Sequence, residues 1–273
     1  MKLSLNGATT MNADLLTDIR AACVAGFDCL EIWAAKLSAF LKTDTTAALK
    51  AAFAEQRIEP YSINSIERIT FRDDQGHAAL LAECDQWCRI AAEIGCPYVV
   101  VVPGRLPAGA SRAQTIDESV RVLERLSEIA ASHHVALAFE FLGQTDCSVQ
   151  TLDLADEIVR RVARPNVGLV IDSFHFYAGG SQLASIDSLD PQRLFIFHIN
   201  DAEDLPRERL EDRHRLLPGL GILPLKEIIT ALRRIGYDRV TSVEIFRPEY
   251  WQRDPLELAR DARAAVARAL GRE

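Results

Sequence analysis

Four short strings in the second half of the chain each close an apolar run on a side chain able to bind a cation or carry a proton. They are AFEF with Glu140, VIDSFH with Asp172, IFHIND with His198 and SVEIF with Glu244. Successive members lie about one 30-residue strand–helix repeat apart, with extra loop before the last. Three carboxylates and one imidazole make an oxygen and nitrogen donor set suited to a single divalent ion of the Mn, Mg, Co or Zn type. Singly, each residue has an ordinary structural reading: a strand-end Glu caps a helix or faces water, and a His in an apolar strand is usually a hydrogen-bonded core residue. Together they are different. Three carboxylates brought to one point repel, and a bound cation offsets that repulsion directly. No thiolate belongs to the set, so a structural zinc site of the cysteine type is not expected.

Such convergence needs a scaffold that brings the ends of successive strands to one place. Short apolar runs recur at Lys2–Asn6, Cys29–Trp33, Pro60–Asn64, Tyr98–Pro103, Val135–Glu140, Val167–Asp172, Leu194–Asn200 and Val240–Glu244. Between them, apolar residues at three-to-four spacing predict helices over Ala13–Ala25, Thr45–Gln56, His77–Ile94, Ala113–His133, Thr151–Val162, Leu223–Ile235 and Pro255–Leu270. The segment Ser181–Leu189 has room for one short helix at most. Gly26, Gly95 and Gly236 each follow a helical pattern and precede a strand, the place for a left-handed helix-ending residue. No low-complexity linker divides the chain. Strands apolar on both faces and separated by helices imply a parallel sheet. Eight such units in 273 residues match the ~250 residues of a closed barrel, and no GxGxxG follows the first strand to favour an open dinucleotide-binding sheet. The expected fold is α/β, a single (β/α)8 TIM barrel over residues 1–273. Its strand ends read Asn6, Glu31, Asn64, Pro103, Glu140, Asp172, His198 and Glu244, and active sites of this fold gather at those ends.

Composition narrows the partners. Hydrophobic residues at 48% and charged residues at 26% exclude a disordered chain. The 39 acidic against 31 basic residues give a net charge of −8, the wrong sign for a general grip on nucleic-acid phosphates. No apolar run approaches the ~20 residues that span a bilayer, and MKLSLNGATT lacks the apolar core of a secretory signal. Six cysteines without a CxxC pair, most of them inside apolar segments, fit a reduced, cytoplasmic compartment.

The chain resembles the xylose-isomerase-like TIM-barrel superfamily of sugar isomerases and epimerases, and within it the inosose (2-keto-myo-inositol) isomerases of inositol catabolism. The resemblance runs over essentially the whole length, through MKLSLNGATT, FRDDQGH, YVVVVPG, NVGLVIDSFHFYAGGS, FIFHINDAED, LPGLG and SVEIFRPEY. It implies that Glu140, Asp172, His198 and Glu244 hold one divalent ion, and that Glu140 and Glu244 double as the acid/base pair. It also implies that His175 and Arg215 contact substrate. The implied chemistry moves a carbonyl along a keto-inositol or keto sugar through an enediolate, with two carboxylates taking and returning protons. Asn6, Asn64 and Glu31 either bind substrate hydroxyls or cap helices. Trp33, Phe174 and Trp251 are candidates for apolar walls, and Arg247 either meets a substrate oxygen or, the favoured reading, forms an ion pair with Glu249 or Asp204. Dehydration of an inosose, 3-epimerisation of keto sugars and hydroxypyruvate isomerisation are sibling reactions. An abasic-site endonuclease relative would need further metal-binding histidines; Asp212-Arg213-His214 matches one part of that pattern, but Glu31 and Asn64 stand where two of the histidines belong. The implied partner is a small polyol or keto sugar and the implied assembly a monomer or homodimer, with no nucleic acid or membrane involved.

Overall fold

Strands with two apolar faces can be buried only between a filled interior and a shell of helices, and the chain adopts that arrangement. A computed structural model describes residues 1–272. The strands are β1 (Lys2–Asn6), β2 (Cys29–Trp33), β3 (Glu59–Ile66), β4 (Tyr98–Val101), β5 (Ala136–Glu140), β6 (Val167–Asp172), β7 (Leu194–Ile199) and β8 (Val240–Val243). Each pairs in parallel with the next, and β8 returns to β1 to close the barrel. The strand ends therefore face one mouth. In the pairing register Asp172 stands opposite His198, and Asn6 opposite Glu31, so these side chains occupy neighbouring levels at that mouth.

Five strands differ from the sequence reading in their bounds, β5 and β7 only in that Val135 and Asn200 lie just outside them. β3 continues past Asn64 to Ile66, where it regains its pairing with Val101. β4 stops at Val101, short of Pro103, which has no N–H to offer a ladder. β8 ends at Val243, leaving Glu244 as the first loop residue.

The shell consists mainly of the helices Leu15–Ala25, Thr46–Gln56, Asp74–Ile94, Arg112–Ser132, Leu152–Val162, Leu225–Arg234 and Pro255–Ala269. In Leu152–Val162 the residues Leu152, Ala155, Ile158, Val159 and Val162 form one buried stripe, each large apolar side chain contributing about 1.5–3 kcal/mol. Gly95 ends Asp74–Ile94 with φ of 80°, a conformation costly to any residue with a Cβ. Inside the barrel, near the strand starts, Tyr98 packs at 5.2 Å from Tyr61 and 4.9 Å from Phe195, plugging the end opposite the mouth.

Periodicity did not reveal the short helices Ala34–Phe40, Ser173–Ala178 and Pro248–Trp251, which follow β2, β6 and β8 with little or no linker. Only Leu183–Asp187 was expected, within Ser181–Leu189. Also unforeseen is an excursion after β7, where Asp201–Ala202 pairs antiparallel with Arg215–Leu216. Asp201 accepts from the backbone N–H groups of Ala202, Gly219 and Leu223, and so pins the LPGLG turn. That fold-back carries Arg215 over the barrel mouth.

A buried ion pair braces the rim beneath. Lys36 Nζ lies 2.7 Å from Asp18 Oδ2 and 2.8 Å from the Thr10 carbonyl, while Thr10 Oγ1 donates to Asp18 Oδ1. Asp18 is fully buried and Lys36 nearly so. Removing one partner strands the other, which costs about 3–5 kcal/mol. Lys36→Met should therefore lower the unfolding free energy in a urea titration by that order, and adding Asp18→Leu should recover part of the loss.

Candidate metal centre and active site

Each member of the four-residue set sits where its strand delivers it. Glu140 closes β5, Asp172 closes β6, His198 is the penultimate residue of β7, and Glu244 follows β8. All four are buried. One ligand atom from each lies within 4.8 Å of all the others. His198 Nδ1 is 3.0 Å from Glu140 Oε1, 3.4 Å from Glu244 Oε2 and 4.0 Å from Asp172 Oδ2. Oxygen and nitrogen ligands at ~2.0–2.2 Å from a common ion stand roughly 3–3.5 Å from one another. The two shortest separations already have that size, and the donor set is all carboxylate and imidazole, so the residues present fit a divalent ion.

A second ring of hydrogen bonds aims the ligands. Asp172 caps the helix Ser173–Ala178: its Oδ1 accepts from the His175 N–H at 2.9 Å. Its Oδ2 accepts from Asn200 Nδ2 at 2.8 Å and Arg215 Nη1 at 2.9 Å. Glu244 Oε1 accepts from Asn64 at 2.8 Å and Asn6 at 3.0 Å, and Oε2 from Arg215 Nη1 at 3.0 Å. On the far side of His198, Nε2 lies 2.9 Å from Glu31 Oε1.

The electrostatics follow from this crowding. Burial, reinforced by Glu244 and Asp172 against the pull of His198, pushes the Glu140 carboxyl up to about 8. Glu244 is just as buried, yet His198 and Arg215 hold it below the usual carboxylate range. Burial would lower His198, but Glu244, Glu31 and Glu140 hold it well above the ordinary imidazole value. Without an ion the cluster recruits a proton in its place.

A family model described as xylose isomerase-like TIM barrel matches residues 19–269 of the chain. The chain belongs to the xylose isomerase-like TIM barrel family. Among curated relatives, the inosose isomerase of Bacillus velezensis is 37% identical over 271 residues, covering 97% of each chain. That of Bacillus subtilis is 38% identical over 254 residues, covering 92% of this chain and 91% of its own. Among solved structures, the IolI protein with a bound zinc atom superposes with a TM-score of 0.96 at 37% identity, covering 99% of this chain and 98% of the other.

In this member of the family Glu140 and Glu244 of the cluster line a cavity of about 220 Å³, while Asp172 and His198 lie behind its wall. Of the residues expected to meet substrate, Trp33, His175 and Arg215 line it. Trp33 packs edge-on against Phe246 at 5.4 Å, forming an apolar side. His175 Nε2 accepts from Arg215 Nη2 at 2.9 Å, which leaves the ring proton on Nδ1, an atom with no partner within the protein. Burial and the neighbouring Arg215 lower the His175 pKa, keeping the ring neutral. Asn6 does not line the cavity: its amide is spent on Glu244 and its Oδ1 on the Ala8 N–H. It orients a carboxylate and does not face substrate.

Arg215 is fully buried and shared. Besides Asp172 and Glu244 it donates to Asp212 Oδ1 at 2.9 Å and lies over the rings of Phe174 and Phe246. Asp212 and Gln144, which donates to Asp212 at 3.0 Å, line the cavity too. Gln144 carries no sequence signal beyond lying in the loop after β5. Asp212 was noticed only inside Asp212-Arg213-His214, and that string builds no second metal group. His214 Nδ1 accepts from the Glu211 N–H in its own turn, and Arg213 pairs with Glu211. Among the described residues, the set around His198 is the one metal-type cluster found. Trp251 lies apart, its Nε1 donating to the Ala8 carbonyl, and Arg247 pairs with Glu203 and Glu249 and not with Asp204.

The balance of charge makes a prediction. Arg215→Met leaves Asp172 and Glu244 buried with one cation fewer, a loss of about 3–5 kcal/mol in ion-free protein. A divalent ion supplies the missing positive charge. The rise in melting temperature on adding Zn or Mn should therefore be larger for the variant than for the wild type; an equal rise in both would contradict this account.

Proposed function

We propose that the protein is a divalent-metal-dependent isomerase that moves a carbonyl to a neighbouring carbon of an inosose-class ring ketone. Two findings support the reading jointly: full-length identity of 37–38% to inosose isomerases, and the buried Glu140, Asp172, His198, Glu244 cluster, of which Glu140 and Glu244 line a sugar-sized cavity. In this reading those four residues hold the ion. The ion, when bound, acts as a Lewis acid toward the substrate's carbonyl and adjacent hydroxyl oxygens.

The remaining work belongs to side chains. Moving the carbonyl requires a proton to leave one carbon and another to arrive on its neighbour, so the site needs a base and an acid within reach of adjacent carbons. Glu140 and Glu244 supply them from two sides of the cluster, Glu140 closing β5 and Glu244 following β8, with β6 and β7 between those strands. Their surroundings push them apart in proton affinity, Glu140 upward and Glu244 downward, the pattern that lets paired carboxyls take opposite roles. His175, neutral and with its proton on Nδ1, serves as a hydrogen-bond donor to a substrate oxygen. Arg215 keeps Asp172 and Glu244 in place and closes the cavity above them. Trp33 and Phe246 exclude water from one face of the ring.

The wider reading is of a cytoplasmic enzyme, a single barrel unit over residues 1–273 working as a monomer or homodimer on a polyol-derived ketone. With a charge of −8 it is poorly suited to nucleic acid. In the chain as described, no helix is long and apolar enough to cross a membrane.

The test is a proton-NMR panel of inososes and ketoses in D2O. Wild-type protein with added metal should isomerise an inosose and wash deuterium into the carbon beside the carbonyl. Loss of a ring hydroxyl instead would identify a dehydratase. Glu140→Gln and Glu244→Gln should each slow exchange by roughly 10²–10⁴-fold while circular dichroism stays that of the folded protein; unchanged wash-in refutes the acid/base assignment. EDTA should abolish turnover, and Mn, Co, Mg or Zn should restore it. Full activity in thoroughly chelated protein ends the metal assignment.

A further inference from the structure

Glu31 is a buried carboxylate that none of the chemistry above uses. It lies in β2 with no exposed surface, it is absent from the cavity wall, and it caps no helix. Its Oε2 accepts from Ser62 Oγ at 2.5 Å, and its Oε1 has Asn6 Nδ2 at 3.4 Å and His198 Nε2 at 2.9 Å. The approach to Nε2 is close but does not have hydrogen-bond geometry, and Nε2 makes no hydrogen bond within the protein.

A neutral imidazole carries one proton and one lone pair, and which nitrogen holds which is decided by the neighbours. A lone pair on Nε2 would lie against a buried carboxylate oxygen 2.9 Å away, two electron-rich atoms in contact with nothing between them. A proton on Nε2 turns the same contact into an attraction. The lone pair is then left on Nδ1, the nitrogen that faces Glu140, Glu244 and Asp172 at 3.0, 3.4 and 4.0 Å, where only a cation among those carboxylates relieves the same repulsion. Ser62 and Asn6 hold the carboxylate in the position from which it makes this choice.

We propose that Glu31 is a positioning residue: it fixes His198 as the Nε2–H tautomer, presents Nδ1 to the ion, and thereby sets the affinity of the site for a divalent cation. This rests on the reading of the four-residue cluster as an ion site, and it is independent of which substrate is turned over. Partners of this kind on a ligand histidine typically change metal affinity 10- to 100-fold when removed.

The experiment titrates Zn into chelator-treated full-length wild type, Glu31→Gln and Ser62→Ala, with a competing chelator to read the dissociation constant and melting curves to follow the fold. Glu31→Gln keeps the shape but loses the charge, and it should bind Zn at least tenfold more weakly. Ser62→Ala slackens the carboxylate without removing it, and it should lose several-fold; it carries the test alone if Glu31→Gln does not fold. Long-range proton–nitrogen spectra of zinc-loaded wild type should place the His198 ring proton on Nε2. A merely structural Glu31 would lower the melting temperature and leave the affinity of folded protein unchanged. Wild-type affinity in the folded variants, or a zinc-loaded His198 protonated on Nδ1, overturns the proposal. Wild type that takes up no Zn overturns the ion site itself and this role with it.

Discussion

Like charges held together without water are the constraint around which this barrel mouth is organised. Glu31, Glu140, Asp172 and Glu244 surround a single imidazole, and all are buried. Two carboxylates about 4 Å apart repel by ~4 kcal/mol even at an effective dielectric of 20, and several such pairs would consume most of the stability of a typical fold. The fold tolerates them because compensation is built in. Arg215, whose guanidinium spans Asp172 and Glu244, is permanently charged; His198 accepts a proton when nothing better is present. At Glu140 burial, reinforced by Glu244 and Asp172, outweighs the pull of His198, and the carboxyl rises. One cation short of balance, the site has a standing affinity for a small divalent ion.

That imbalance would be of little use if the ligands were free to turn away from one another. Two of them, Asp172 and Glu244, are held by groups outside the ligand set. Asp172 is locked by a helix N-terminus on one oxygen and by Asn200 and Arg215 on the other. Glu244 stands in a loop, without a strand ladder to fix it, and Asn6, Asn64 and Arg215 replace that support. Asn6, at the end of β1, and Asn64, two residues before the end of β3, are therefore explained by a carboxylate on the opposite end of the chain. Closing the barrel between β8 and β1 is what brings them together.

How far the sequence discloses this depends on the range of the interaction. Periodic patterns report local structure, so the eight strands and the long helices could be read to within a few residues, and with them the level at which Glu140, Asp172, His198 and Glu244 emerge. The short helix Ser173–Ala178 has no pattern to read, because its start is set by Asp172 acting as both strand end and cap. Arg215 was recognised by resemblance alone; its burial against two carboxylates depends on the fold-back after β7, a pairing of two-residue strands too short to show any alternation. Asn6 has the same residue type whether it meets a hydroxyl or a carboxylate, and only the geometry distinguishes the two. Gln144 and the contact of Glu31 with His198 are invisible for the same reason: both are set by neighbours far away in sequence.

The two candidate proton carriers illustrate why such distant neighbours matter for reactivity. Glu140 and Glu244 are chemically identical and equally buried, and strand position alone would give them the same proton affinity. The difference comes from unlike partners: both carboxyls meet His198, but Glu244 also accepts from Arg215, Asn6 and Asn64, none of which donates to Glu140. Arg215 in turn is held by Asp212, in a 3-10 turn at the rim of the cavity. A loop residue on the edge of the mouth thereby helps to decide which of two interior carboxyls keeps its proton. Barrels of one architecture can differ in chemistry by this route without a change in their ligand set: altering the loop that carries the counter-charge redistributes protons among the same strand-end acids.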